Sequence, residues 1–446
     1  MFAGRRLQAL VVAVALVCGV SFATLYSTGG SEAATRRRPG VVDSAAIHTR
    51  WPIKHVVFIL KENRSFDHMF GTFPGADGVT TGDDHGRTVP LKPTTDQRML
   101  QAANLAHGYR TALLSYDHGK MDGFAHDPIS KLYAYTQLHR EQLPNYWRWA
   151  SDFVLSDHVF TSVLGPSFPN HLYMISGQSG QTHDNPRPRP QDPGWQRAHH
   201  YKTWGCDAPE WLHVKVYPAS GGVVDRRPCF SFRTMGDELQ AAHVPWAYYA
   251  ARPEEPGYIW SAYAAIRQVR ERRAAWDRHV FPVDNVVQDI RANRLPPVTW
   301  ITPRFQLSDH PEFNFCYGEN WSTQVIDAIM RSPMWKDTAI FLSWDDWGGF
   351  YDHVKPPRMD RFGYGFRVPF LVISPYALQG VVDHHFGDFS SVLKFIEDNW
   401  GLPPLNSRDR AATDLSYDFD FTQQPRPPDP LPARTDCKGP IWGKPR

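Results

Sequence analysis

HVVFILKENRSFDH, residues 55–68, opens on a run in which Val56, Val57, Phe58, Ile59 and Leu60 leave no polar position on either face. A strand with one wet side alternates apolar with polar residues, and a strand covered on both sides does not. His55–Leu60 therefore reads as an interior strand, and the polar residues from Lys61 onward mark where the chain leaves the core. Val298–Ile301, Thr338–Ser343 and Val368–Ser374 have the same character. Between these runs the spacing predicts helices at Leu172–Ser176 and onward, Tyr263–Trp276, Val283–Asn293, Gln324–Arg331 and Ser390–Trp400. Apolar strands alternating with helices give an α/β fold, with a mostly parallel central sheet and helices on both faces. In such a sheet the working residues gather beyond the carboxyl ends of the strands.

The rest of the chain is organised around that body. A hydrophobic fraction of 42% and a charged fraction of 21% describe a globular protein, and a net charge of +2 over 446 residues gives no reason to expect a nucleic-acid partner. Sixteen Trp and an aromatic content of 13% suit either a densely packed core or an aromatic-rimmed entrance for an amphipathic substrate. Arg5 and Arg6, the apolar run Leu10–Val20 and the small residues around Ser31–Ala34 have the layout of an export signal. Residues 1–34 are read as a signal peptide or an uncleaved signal anchor, and residues 35–50 as a linker. Either way the body is exported: secreted, periplasmic or attached to the cell envelope, in the last case through membrane anchoring by that segment. Residues 51–419 form the catalytic domain, with an irregular insertion or cap at 184–232, and 420–446 is a Pro-rich, loose tail tethered by Cys437. Beyond Cys18 the chain has four cysteines, an even number that suits an oxidising compartment. Cys206 with Cys229 is the preferred pair because they bracket one irregular stretch.

The polar residues behind the strands carry the chemistry. Glu62 and Asn63 follow the first strand, and Asp345 and Asp346 follow the third, with Gly348 and Gly349 behind them. One such pair is ordinary turn chemistry. Two pairs at the ends of separate buried strands suit a divalent cation held by oxygen ligands. Ser167, in Gly165-Pro166-Ser167-Phe168-Pro169-Asn170-His171, stands at the mouth of a helix. There a hydroxyl can cap the helix or, beside a cation, act as a nucleophile toward phosphorus. The segment alone leaves both roles open. His310 and His353 each lie just past a strand that carries other candidates, and His107 is the third histidine singled out for proton transfer or for balancing phosphoryl charge.

Taken together these motifs resemble the phosphoesterase family of bacterial phospholipases C, plant non-specific phospholipases C and acid phosphatases, within the alkaline phosphatase superfamily. The resemblance rests on Glu62 to His68, Gly165 to Asn170, Ser308-Asp309-His310-Pro311, and Asp345-Asp346 with Gly348 to His353. Gly119-Lys120-Met121-Asp122-Gly123-Phe124 is a further match, and the likeness spans His55 to Leu402. It implies an alkaline phosphatase-like fold and a metal-dependent hydrolysis of phosphate esters through a phosphoseryl intermediate. Glu62, Asn63, Asp345, Asp346 and Ser167 match the metal ligands, Ser167 also matches the nucleophile, and His310, His353 and His107 match histidines around the phosphoryl group. Oxygen ligands suit Ca, Mg or Mn, and the resemblance keeps Zn open.

Two positions depart from the family's usual pattern. Asp346-Trp347 stands where many phospholipases C have Glu-His, and His171 stands where Arg is common. These put substrate preference in question more than the reaction. Phospholipase C chemistry on membrane phospholipid and acid phosphatase chemistry on soluble monoesters are the two expected activities. A non-catalytic surface binding protein fits less well with an intact Ser167 and ligand set. A sulfatase-like hydrolase fits less well with His171 in the place of Arg.

Overall fold

The computed structural model describes residues 38–40, 48–95, 98, 104–188, 203–358 and 360–441. The expected export segment at 1–34, most of the linker and part of the 184–232 insertion lie outside the described residues. Among the described residues no helix is long and apolar enough to cross a membrane.

Eight strands form the large sheet: β1 (His55–Lys61), β2 (Val154–Ser156), β3 (Trp246–Ala250), β4 (Val280–Pro282), β5 (Val298–Ile301), β6 (Thr338–Trp344), β7 (Phe370–Ile373) and β8 (Val381–Asp383). Their order across the sheet is β4-β3-β5-β1-β6-β7-β2-β8. β1 is parallel to β5 and β6, β3 is parallel to β4 and β5, and β2 is parallel to β8. β7 is antiparallel to both its neighbours, β6 and β2. It therefore runs against the other strands, and the sheet is mostly parallel.

Every residue of β1, β3, β5, β6 and β7 is buried, so both faces are covered. Alternate residues of β1 identify the covers. Phe58 packs on Phe389 of the helix Phe389–Trp400, with ring centroids 6.0 Å apart. Lys61 points the other way, and its Nζ donates to the Gly318 carbonyl and Ser322 Oγ of the helix Phe315–Met330. Period-two alternation puts these two helices on opposite faces.

Several expected elements come out differently. The Gln324–Arg331 pattern belongs to a longer helix beginning at Phe315, where Asn314 caps it by accepting from the Cys316 N–H. Tyr263–Trp276 is not one helix but a 3-10 turn at Ala262–Ala265 followed by Arg267–Arg270 and Arg273–His279. The helix expected from Leu172 onward begins earlier, at Ser167, and stops at Ser176 where Gly177 turns left-handed with φ 60°. The insertion is more regular than its composition suggests. Arg187–Pro188, Leu212–Val216 and Val224–Arg226 form a small antiparallel sheet, and Cys206 bonds to Cys229.

The tail is pinned down rather than loose. Cys437 is bonded to Cys316, and the Leu431 N–H donates to Asp327. Arg434 meets the buried Glu319 carboxylate at 3.0 Å.

Candidate active site

Register decides which side chains meet. Lys61 on β1 and Trp344 on β6 are partners at the last position of both strands. The next residues, Glu62 and Asp345, leave the sheet together, and the Asp345 N–H still donates to the Lys61 carbonyl at 3.0 Å. Asn63 turns back with φ 60°, and its N–H donates to Asp345 Oδ1 at 3.0 Å. Gly348 closes this corner. A Cβ there would sit 2.3 Å from the Asn63 carbonyl oxygen, so the second loop reaches the first only because this position has no side chain. Asp346 is held by the Gly348 N–H at 2.7 Å.

The helix Ser167–Ser176 delivers the hydroxyl to this corner. Its N-cap is Pro166, and Ser167 is the first helical residue. The capping duty falls elsewhere: the Phe168 N–H donates to Asn185 Oδ1 at 2.9 Å. Asn170 braces the loop before the helix, accepting from the Val163 N–H and donating to the Gly165 and Pro166 carbonyls. Ser167 Oγ is thus left to face Glu62 Oε2 and Asp346 Oδ2, each at 3.3 Å. One hydroxyl proton cannot satisfy both carboxylates at once.

His171, which the sequence reading noted only as a departure, also belongs to this cluster. Its Nε2 lies 2.8 Å from Glu62 Oε1 and 3.8 Å from Asp345 Oδ2, with the ring 2% exposed. The signal was available in principle. Residues 167 and 171 are four apart on one helix, so they share a face.

His107 joins from the other side. Its Nδ1 lies 2.7 Å from the Leu105 carbonyl, which can only accept, so the ring proton sits on Nδ1 and Nε2 offers a lone pair. The Asn63 amide stands between His107 Nε2, 2.9 Å away, and the carboxylate oxygens Glu62 Oε2 and Asp345 Oδ1, at 2.7 and 3.2 Å. With its oxygen toward the carboxylates the amide donates to His107 Nε2, and with its NH2 toward them it donates to both carboxylates. Asp345 Oδ2 is buried with no hydrogen-bond partner among the described residues. His310 sits beside His107 with ring centroids 6.2 Å apart, and its Nδ1 donates to the Pro311 carbonyl.

The electrostatics express the same conflict. Burial, reinforced by the charges of Asp345 and Asp346, lifts Glu62 well above the usual carboxylate range. Burial and then the neighbouring Asp346 push Asp345 up to about 8, and burial pushes Asp346 up to about 7. Burial also pushes His171 and His310 down to about 3 and lowers His107, so all three rings are neutral. Three buried carboxylates, a hydroxyl and an imidazole nitrogen, with the Asn63 amide beside them, form a donor set that fits a divalent cation.

His353 is held elsewhere. Its Nδ1 lies 2.7 Å from Asp67 Oδ2 and its Nε2 3.2 Å from Asp77 Oδ1. Its other neighbour is Arg367, which is fully buried and bound to Asp352 at 2.9 Å. Burial alone would lower the His353 pKa, but the hydrogen bond and charge of Asp67 outweigh it and raise the value. The structure therefore brings together Glu62, Asn63, Ser167, Asp345, Asp346 and His107, sets His310 behind His107, and keeps His353 in a separate Asp–Arg network.

The chain is 28% identical to phospholipase C B of Mycobacterium tuberculosis over 445 residues, covering 85% of this chain and 80% of that one. It is 25% identical to the hemolytic phospholipase C of Pseudomonas aeruginosa, covering 90% of this chain and 61% of that one. Among solved structures, a protein in the alkaline phosphatase superfamily from Vibrio parahaemolyticus aligns with a TM-score of 0.38 and 10% identity over 86% of this chain and 74% of that one. The model of the phosphoesterase family matches residues 53–403, a span that holds both strand-end pairs, Ser167 and all three singled-out histidines, and the chain belongs to that family.

Proposed function

We propose that the protein is a metal-dependent phosphoesterase of the phospholipase C kind, with Ser167 as its nucleophile. The observation that carries this reading is the position of Ser167 Oγ, 3.3 Å from carboxylates belonging to two different strand ends. A hydroxyl needed only for helix capping would turn to its own backbone, and this one does not. The names of the relatives support phospholipid as the substrate class.

Glu62, Asn63, Asp345 and Asp346 would hold the cation, with Ser167 Oγ at its edge. When bound, the ion supplies positive charge that favours the serine alkoxide and draws electrons from the phosphoryl oxygen. The residues account for the rest. Ser167 Oγ forms the bond to phosphorus as the bond to the leaving alkoxide breaks, giving a phosphoseryl enzyme. The neutral ring of His310 has Nδ1 committed to the Pro311 carbonyl, so its Nε2 accepts a proton, while His107 Nε2 meets the Asn63 amide and positions it. His310 takes the proton released on attack and returns it to the leaving oxygen; it then takes one from the water that attacks phosphorus and gives it to Ser167 Oγ as the phosphoseryl bond breaks. His353 stabilises the framework through Asp67 and Arg367. The two disulfides, Cys206–Cys229 and Cys316–Cys437, support an exported protein.

Hydrolysis of p-nitrophenyl phosphorylcholine and of p-nitrophenyl phosphate, with and without chelator, tests the reading. Chelator-sensitive release from the diester is expected. Faster release from the monoester would favour an acid phosphatase, and chelator-insensitive rates on both would overturn the metal-dependent mechanism.

A further inference from the structure

The pairing that joins the two catalytic loops is repeated at the far edge of the sheet. Ser156 on β2 and Asp383 on β8 are register partners at the carboxyl ends of two adjacent parallel strands. The next residues, Asp157 and His384, leave the sheet side by side, and the Asp157 N–H donates to the Asp383 carbonyl at 3.0 Å. Asp157 is fully buried, and two imidazoles converge on it. His158 Nδ1 lies 2.7 Å from Oδ1, and His384 Nδ1 lies 2.9 Å from each oxygen.

We propose that Asp157, His158 and His384 form a second cation site, one that takes a borderline transition metal such as Zn2+, separate from the catalytic centre. Four observations carry it. One ligand atom from each residue lies within 4.8 Å of the others, the spread expected around an ion with bonds of about 2.0–2.2 Å. The two rings do not stack. They stand at 85° with centroids 6.2 Å apart, as rings aimed at one point would. His158 Nε2 lies 3.4 Å from Asp77 Oδ2, so a carboxylate backs the ligating ring on its far side, and the Asp77 N–H also donates to Asp157 Oδ2 at 2.7 Å. A carboxylate behind a histidine is the usual outer support of a metal-bound imidazole. Finally, the His158 and His384 side chains are 27% and 59% exposed, which leaves the remaining coordination positions to water.

Two imidazoles and one carboxylate select Zn2+, Mn2+, Co2+ or Ni2+ over Ca2+ or Mg2+. β7 separates β6 from β2, so the site lies two to three strand spacings, roughly 10–15 Å, from Asp345 and Asp346 along the sheet, and Glu62 is one strand further. An ion there would clamp the three-residue edge strand β8 to β2 and to the Asp77 loop. The competing account needs no ion: one carboxylate accepting hydrogen bonds from two imidazoles.

Elemental analysis of full-length protein, stripped with chelator, reloaded with Zn2+ and desalted, separates the two. Two ions per chain are expected for the wild type, one for His384→Ala and one for Asp345→Asn. His384→Ala should keep its phosphoesterase turnover when reloaded. Equal ion content in wild type and His384→Ala would overturn the proposal. Loss of an ion in His384→Ala with none lost in Asp345→Asn would uphold it while taking Asp345 off the ligand set of the other ion. Co2+ added to Asp345→Asn provides a readout with Asp157, His158 and His384 all intact. A visible ligand-field band with nitrogen ligation is expected, and its absence would sink the second site.

Discussion

Ser167 and Asp346 lie 179 residues apart in sequence, and their oxygens stand 3.3 Å from each other in the corner between β1 and β6. On the proposed mechanism this pair places the nucleophile beside a metal ligand. Removing the hydroxyl with Ser167→Ala should lower turnover by at least about a thousandfold, as expected for a covalent nucleophile. Circular dichroism and the melting temperature should stay close to wild type, because Oγ makes no bond to the helix backbone. Retained turnover would assign the nucleophile to another group.

The pH dependence of stability follows from the crowded carboxylates. Without an ion, Asp345 sits at about 8 and Asp346 at about 7, both raised from 3.8, chiefly by burial. A group raised on folding stabilises the protein fully below its unfolded value and loses that contribution as pH climbs through the folded value. For these two groups the loss runs from about pH 4 to about pH 8. The gap in melting temperature between ion-loaded and chelator-treated protein should therefore be small near pH 5 and widen toward pH 8. Asp345→Asn should flatten the curve of the chelated protein, and a gap that ignores pH would contradict the assignment.

His171 gives a sharper probe of the cluster. Replacing it with Ala removes the nitrogen 2.8 Å from Glu62 and leaves that carboxylate without its ring partner. Loss of such a partner should weaken ion binding by about 10–100-fold, measurable by titration calorimetry. Unchanged affinity would make His171 a bystander.

Cys316–Cys437 closes a loop with a sequence separation of 121 residues. Replacing both with Ser should destabilise the protein by about 2–5 kcal/mol and expose the segment after residue 420 to proteolysis. Denaturant unfolding and a timed digest would check both effects.

Much of this could be read from the chain because interior strands of a parallel sheet have an unmistakable composition. β1 and β6 were visible as unbroken apolar runs, and the acidic pairs behind them could be placed at one edge by topology alone. β2 and β8 have three residues each, too few for any periodicity, and β3, reading Trp246-Ala247-Tyr248-Tyr249-Ala250, carries no β-branched residue. The reversal of β7 depends on how the chain returns to the sheet, which composition does not encode. His171 was missed for a different reason. Its place in the cluster comes from the three-dimensional approach of Glu62, which a position inside a helix does not announce. The chain singled out His353 by its place beside the Gly348-Gly349 turn, but the side chain turns toward Asp67.

The docking of the tail has a consequence for the catalytic end. Glu319 is buried, and burial pushes it up to about 7 despite the guanidinium of Arg434. The same carboxylate accepts from the Asn145 and Tyr146 N–H groups, and the Tyr146 hydroxyl grips Asp309, the residue before His310. A protease that clipped the last stretch would strip this carboxylate of its countercharge. The disturbance would then travel by direct contacts, through Tyr146 and Asp309, to His310, a residue the protease never touched.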